Sequence, residues 1–247
     1  MNSLKLVVFD WAGTLIDMGS KAPVEAFIAL FAEAGIAISE TVAKAPMGLG
    51  KRDHIKTILK NPLVESEWNR VFGRPADDYD VDRLYRSYEP HQIQAIRKFS
   101  QLIPGAMESV SWLRKRGIKV AGTTGYPRSV ASLVWKEAKD QGLELDANAC
   151  NCDVAYGRPS PLMIFKVMEL TNLYPPSSVL KVGDTIPDVM EGKNAGCKTF
   201  SVLKTGSGWE GETSRKSLTN EFELVGTDKV IDSVADLPSV IETIRGY

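Results

Sequence analysis

No apolar run in this chain approaches the ~20 residues needed to cross a bilayer. Its first residues lead straight into a core strand instead of showing the layout of a signal peptide. A cytoplasmic protein without a membrane partner is expected. The chain also lacks a charge excess: 30 Lys and Arg stand against 31 Asp and Glu, a net charge of −1. Bulk electrostatics therefore give no case for binding nucleic acid or an acidic membrane. Cysteine is scarce, with three residues in all. Cys150 and Cys152 form a C-x-C too close for an ordinary disulfide framework, and no further zinc ligands accompany them. Reduced structural thiols are the reading. There is no repeat and no low-complexity tract. The length, 247 residues, is enough for one sizeable core, or a core with an insertion.

Leu4, Leu6, Val7, Val8 and Phe9 make a short apolar run that reads as an inner strand of a parallel sheet. Asp10 closes it, followed by Trp11-Ala12-Gly13-Thr14. Open α/β sheets hold ligands at such strand ends, although Asp10 alone reads equally as a turn or cap residue. Two later strands have the same design. Residues 118–122 run into Thr123-Thr124-Gly125, and residues 179–182 into Gly183-Asp184-Thr185-Ile186-Pro187-Asp188. Gly157-Arg158-Pro159 lies in a loop before a helix from Leu162 to Leu170. Pro23 to Gln101 is mostly helical in pattern, with helices over Lys51 to Lys60 and Val81 to Phe99 and breaks at Asn61-Pro62 and Gly73-Arg74-Pro75. A helix around Met107 to Arg116 then opens a strand–helix alternation. The pattern predicts an α/β fold with a Rossmann-like parallel sheet core, residues 1–20 and 103–247, and an inserted helical cap domain, residues 21–102. Such a cap hangs over the strand ends and can exclude water. Lys204 to Thr227 reads as a long loop with a surface helix, and its function is not legible.

Asp10 and Asp184 offer hard oxygen donors from two strand ends on one sheet face, which suits Mg²⁺. Asp188 is a direct or outer ligand, or simply part of a helix cap. In Pro46-Met47-Gly48-Leu49-Gly50-Lys51-Arg52-Asp53-His54 a lysine opens a helix. Backbone dipoles there disfavour an ammonium, as do partial desolvation and any nearby cation, so Lys51 can have a lowered pKa and attack a carbonyl as an amine. His54 lies on the same helix face and can handle protons. The same segment also reads as a solvated lysine with a packed histidine.

Taken in order, the segments at Asp10, Thr124, Arg158 and Asp184 resemble the four signature motifs of the haloacid dehalogenase superfamily, over nearly the whole chain. The resemblance implies that Asp10 is a nucleophile forming an aspartyl-phosphate. It implies Mg²⁺ held by Asp10, the Ala12 carbonyl, Asp184 and Asp188, with phosphoryl oxygens held by Thr124 and Arg158. Ala12 is a departure: phosphomonoesterases of the superfamily place a second Asp there as general acid. With Pro46-Met47-Gly48, Lys51, Asp53-His54, Thr124-Gly125-Tyr126 and Ser66-Glu67-Trp68-Asn69-Arg70-Val71-Phe72 added, the chain resembles more narrowly the phosphonoacetaldehyde hydrolase family. That implies a Schiff base on Lys51, a pocket lined by Met47, His54, Gly125 and Tyr126, a small-molecule phosphonate substrate and a homodimer. The alternatives are a Mg-dependent phosphomonoesterase or phosphosugar mutase of the same superfamily, and a non-catalytic phosphate-binding protein.

Overall fold

The computed structural model describes residues 4–243, so the outermost ends of the predicted core, 1–3 and 244–247, lie outside the described residues. Six strands form one all-parallel sheet: β1 Leu6–Asp10, β2 Lys119–Thr124, β3 Ala147–Cys150, β4 Val179–Gly183, β5 Lys198–Val202 and β6 Lys229–Ile231. Their spatial order is β3-β2-β1-β4-β5-β6. The chain reverses its direction of travel beside β1, and the crevice at such a switch point is where doubly wound sheets bind ligands. Every residue of β1 is buried, as an unbroken apolar run between two neighbours requires. Val7 and Phe9 join the core on one face, and Leu6 and Val8 the core on the other, by the two-residue alternation of a strand.

Five helices follow β1: α1 Lys21–Glu33, α2 Glu40–Lys44, α3 Lys51–Leu59, α4 Pro62–Phe72 and α5 Asp78–Phe99. The rest of the chain adds α6 Ala106–Lys115, α7 Arg128–Asp140, α8 Leu162–Thr171, α9 Ile186–Ala195, α10 Arg215–Leu224 and α11 Leu237–Thr243. Residues of α6, α7 and α11 cover one face of the sheet and α8 the other, as the α/β reading predicts. Helix α5 begins three residues before the predicted Val81. Asp77 accepts the Asp80 N–H and Asp80 accepts the Asp77 N–H, a reciprocal cap further held by Arg74. Apolar periodicity does not register that polar first turn. The segments entering and leaving the helical block lie side by side. The Asp17 N–H donates to the Gln101 carbonyl at 3.1 Å, and the Ile103 N–H to that of Leu15 at 2.8 Å.

Phe27 anchors α1. It is fully buried, with its ring stacked 3.9 Å from His54 of α3 and 4.7 Å from Tyr88 of α5. Phe27→Ala is expected to cost about 3–5 kcal/mol, the range for a large core truncation. A urea midpoint lowered at unchanged m checks it, and a loss below about 1 kcal/mol would contradict this anchoring.

Candidate active site

The strand register brings the reactive groups together. Asp10 pairs across the sheet with Thr123 of β2, and Asp184 follows the end of β4, the other neighbour of β1. Asp188 sits in the first turn of α9, where Thr185 caps the helix. Beneath these lies a buried charge network that sequence reading largely missed. Arg158 Nη1 meets Asp10 Oδ1 at 2.8 Å and Asp188 Oδ1 at 3.0 Å, and its Nε meets Glu191 Oε2 at 2.9 Å. Its Nη2 donates to the Thr123 carbonyl and hydroxyl at 2.9 and 2.8 Å. The fork is thus committed to protein groups. It lies beneath Asp10 and also borders the cavity above the strand ends, where the sequence reading has it hold phosphoryl oxygens. Lys181, from β4, adds contacts to Asp188 at 3.0 Å, to Glu191 at 3.2 Å and to the Thr123 hydroxyl at 2.9 Å.

Burial and then the charge of Asp188 raise the pKa of Asp10, against the pull of Arg158 and Lys181. Burial, Asp10 and Asp188 push Asp184 well above the usual carboxylate range. Burial works the same way on Asp188, but Arg158 and Lys181 outweigh it and hold that carboxyl low. Four buried carboxylates (Asp10, Asp184, Asp188, Glu191) face two buried cations (Arg158, Lys181), so with all four ionised, four minus two would leave a formal excess of two negative charges, and burial together with that excess raises the pKa values of Asp10 and Asp184. Oxygens of Asp10, Asp184 and Asp188 lie within 4.8 Å of one another. An oxygen-only donor set with that excess fits a divalent cation. Asp188 is the least available donor: Oδ1 faces Arg158 and Lys181, and Oδ2 accepts from the Thr185 N–H and hydroxyl.

Above the strand ends is a small, tightly walled cavity. The core contributes Asp10, Ala12, Thr124, Gly125, Tyr126, Arg158 and Thr185, and the helical block contributes Pro23, Met47, Gly48, Leu49 and Lys51. Gly125 allows the close approach. A Cβ there would lie 2.9 Å from the Leu49 carbonyl oxygen. Lys51 opens α3 behind Gly50 and is 5 % exposed. Its Nζ lies 5.0 Å from the Tyr126 ring centre and 5.6 Å from that of Phe27. Burial lowers its pKa to about 8, opposed by Asp10 and assisted by Arg158. The direction agrees with the sequence reading, which invokes the helix terminus, partial desolvation and a nearby cation; burial leads and Arg158 is the cation. His54 does not line the cavity. Its Nε2 lies 2.8 Å from the Ala43 carbonyl oxygen, which can only accept, so Nε2 carries the proton and donates it. Burial and Lys51 hold its pKa well below the usual value.

Residues 4–196 match the family model of the haloacid dehalogenase-like hydrolases. The chain is similar to the phosphonoacetaldehyde hydrolase of Bacillus cytotoxicus, at 38% identity over 98% of this chain and 97% of that one. It is similar to the phosphonoacetaldehyde hydrolase of Hahella chejuensis at 39% identity, over 99% and 87% of the two chains. Among solved structures it is similar to a phosphonoacetaldehyde hydrolase-like protein from Oleispira antarctica. The TM-score is 0.92 at 35% identity, covering 98% of this chain and 92% of that one.

Asp17 is a further charged residue of the region that sequence reading missed, although an Asp just ahead of a helix is a cap signal. Its carboxylate accepts the N–H groups of Lys21 and Ala22 at 2.9 Å each. Burial raises its pKa to about 7, from an ordinary 3.8. The folded state thus binds this proton more tightly than the unfolded one. The associated stabilisation is complete below about pH 4 and is lost as pH rises through about 7. Asp17→Asn stays neutral throughout. In urea unfolding, its stability relative to wild type should improve steadily from pH 5 to pH 8, and a constant difference would mean that Asp17 titrates normally.

Proposed function

The chain belongs to the phosphonoacetaldehyde hydrolase family of haloacid dehalogenase-like hydrolases, and we propose that it hydrolyses the carbon–phosphorus bond of phosphonoacetaldehyde to acetaldehyde and phosphate. One observation carries the reading. Among the described residues, a single cavity holds one carboxylate, Asp10 from the core, and one primary amine, Lys51 from the cap. Residues 21–102 act as that cap and residues 1–20 and 103–247 as the core.

The neutral Lys51 amine attacks the aldehyde carbon, and loss of water gives a protonated imine. Asp10 then attacks phosphorus. The carbon–phosphorus electrons flow toward the iminium nitrogen, leaving an enamine on Lys51 and an acyl phosphate on Asp10. Water hydrolyses the acyl phosphate to phosphate. The enamine takes a proton on carbon, and water releases acetaldehyde from the resulting imine. Arg158 aims Asp10 and offsets its charge from below. The Thr124 oxygen accepts the Tyr126 N–H at 3.3 Å, which leaves its own O–H to donate to a phosphoryl oxygen. His54 keeps an Nδ1 lone pair without a protein partner and, held neutral by burial and by Lys51, adds no second positive charge beside the amine. Met47 and the Tyr126 ring wall off water, and Gly125 lets the cap seat over the substrate. Asp10, Asp184 and the Ala12 carbonyl would hold Mg²⁺, with Asp188 supporting from outside. When bound, Mg²⁺ supplies positive charge against the transferring phosphoryl oxygens and keeps Asp10 ionised. The reading includes a cytoplasmic setting, supported by the free cysteines. It also includes a homodimer, supported by exposed Leu63, Val71 and Phe72 on α4.

Borohydride added with phosphonoacetaldehyde should inactivate the protein and leave a reduced carbon adduct on one lysine, mapped to Lys51. Lys51→Arg keeps charge but offers no usable amine, and should lose both trapping and phosphate release. An adduct elsewhere, or an active Lys51→Arg protein, would overturn the imine.

Only the unprotonated amine reacts, so log kcat/KM should climb with pH and level off with a midpoint at or below about 8. A bound cation screens Asp10, whose charge holds the Lys51 pKa up, and so moves the midpoint down. A midpoint near the ordinary lysine value of about 10.4 would mean that burial does not lower the Lys51 pKa, and a profile without this rise would remove Lys51 from the rate equation.

A further inference from the structure

The loop after β5 belongs to the stretch that carries no legible message in sequence, yet it reaches the centre of the site. Thr205 and Ser207 are buried. The Thr205 hydroxyl donates to the Gly13 carbonyl at 2.7 Å, and its own carbonyl accepts the Gly19 N–H at 2.8 Å. Two residues on, the Ser207 N–H donates to Asp184 Oδ2 at 2.9 Å. Three consecutive residues therefore grip the turn after the nucleophile, the approach to α1 and a carboxylate of the metal-fitting cluster. Gly206 between them has no room for a side chain. A Cβ there would lie 2.8 Å from the Asp184 Cβ and 3.2 Å from its Oδ2. Buried polar groups cost desolvation unless they are bonded, and each of these is bonded to an element that bears the reaction.

We propose that residues 205–207 form a positioning element for the divalent-metal site, locking the Asp184 carboxylate and the Ala12–Gly13 turn into one arrangement. The proposal rests on the metal site of the function above and not on its substrate. A carboxylate free to rotate must be ordered when the cation arrives. One already held at Oδ2 by a backbone N–H, with its neighbour turn tied to the same loop, has little left to order. Outer partners of this kind typically carry about 10–100-fold in metal affinity.

Calorimetric titration of Mg²⁺ into the substrate-free protein tests it. Thr205→Val keeps the shape and drops the hydroxyl; Gly206→Ala presses on Asp184. Each should weaken Mg²⁺ binding about 10-fold, while the thermal midpoint of the metal-free protein stays within a few degrees of wild type. Thr205→Ser should bind like wild type. Ser214→Ala should also be unaffected, because that hydroxyl bonds only to backbone of the same surface stretch, the Gly211 carbonyl and the Glu210 N–H. Unchanged affinity in both Thr205→Val and Gly206→Ala overturns the proposal. So does weakened binding that Thr205→Ser shares and that comes with a collapsed thermal midpoint, the mark of a merely structural loop. Wild-type protein without a Mg²⁺ signal that Asp184→Asn abolishes would remove the metal site and this proposal together. Intact Mg²⁺ binding without phosphate release from phosphonoacetaldehyde would instead count only against the substrate.

Discussion

A buried arginine under a buried carboxylate sets the conditions for everything above it. Arg158 touches Asp10, Asp188, Glu191 and both oxygens of Thr123, so the orientation of the Asp10 carboxylate is set by a residue with no freedom of its own. Such a network is a poor device for stability. Replacing a whole buried ion cluster with apolar groups is often neutral, whereas removing one partner costs about 3–5 kcal/mol because a charge is left stranded. The cluster makes sense as placement. It spans three strands and the first turns of α9, and it holds the Asp10 carboxylate at the floor of the cavity that the helical block also lines.

Burial then acts on the two reactive groups in opposite senses, and both senses matter. It raises the pKa of Asp10, which the proposed reaction needs ionised, and lowers that of Lys51, which the proposed reaction needs neutral. Dry walls alone would give a good amine and a poor nucleophile. A divalent cation among Asp10 and Asp184 corrects the imbalance, since positive charge there favours the ionised carboxylate and, felt at Lys51, the neutral amine. The excess of two negative charges in the buried cluster and the depressed lysine are therefore parts of one electrostatic arrangement.

How much of this could be read from the chain depends on what each residue shows locally. β1 and β4 announce themselves as short apolar runs ending in an aspartate, and β2 as a strand running into Thr-Thr-Gly, so the sheet, its order of elements and the carboxylates were legible. β3, Ala-Asn-Ala-Cys, has no β-branched residue, and β6 has three residues; neither stands out. Lys181 is hidden for a different reason. A lysine in a strand ordinarily points to water, and only the assembled fold, which brings its Nζ to the Thr123 hydroxyl two strands away and to the α9 carboxylates, gives it buried partners. Arg158 was visible as a motif, but its buried partners were not, because the number of acceptors around it is a property of the assembled sheet. The loop at 205–207 reads as polar surface until three dimensions bring it onto Gly13 and Asp184.

Ala12 and Lys51 are best understood as one choice made in two places. An alkoxide leaving from phosphorus needs a proton, and a carboxylic acid two residues past the nucleophile would deliver it. Here that position is a half-buried alanine, and among the described residues the cavity has no carboxylate besides Asp10. A phosphomonoesterase or phosphosugar mutase built on this cavity would lack its acid and carry a buried lysine with nothing to do. A carbon–phosphorus bond reverses both statements. Its departing electron pair wants an electron sink rather than a proton, and an iminium on Lys51 is that sink, set in a pocket dry enough to keep the amine reactive.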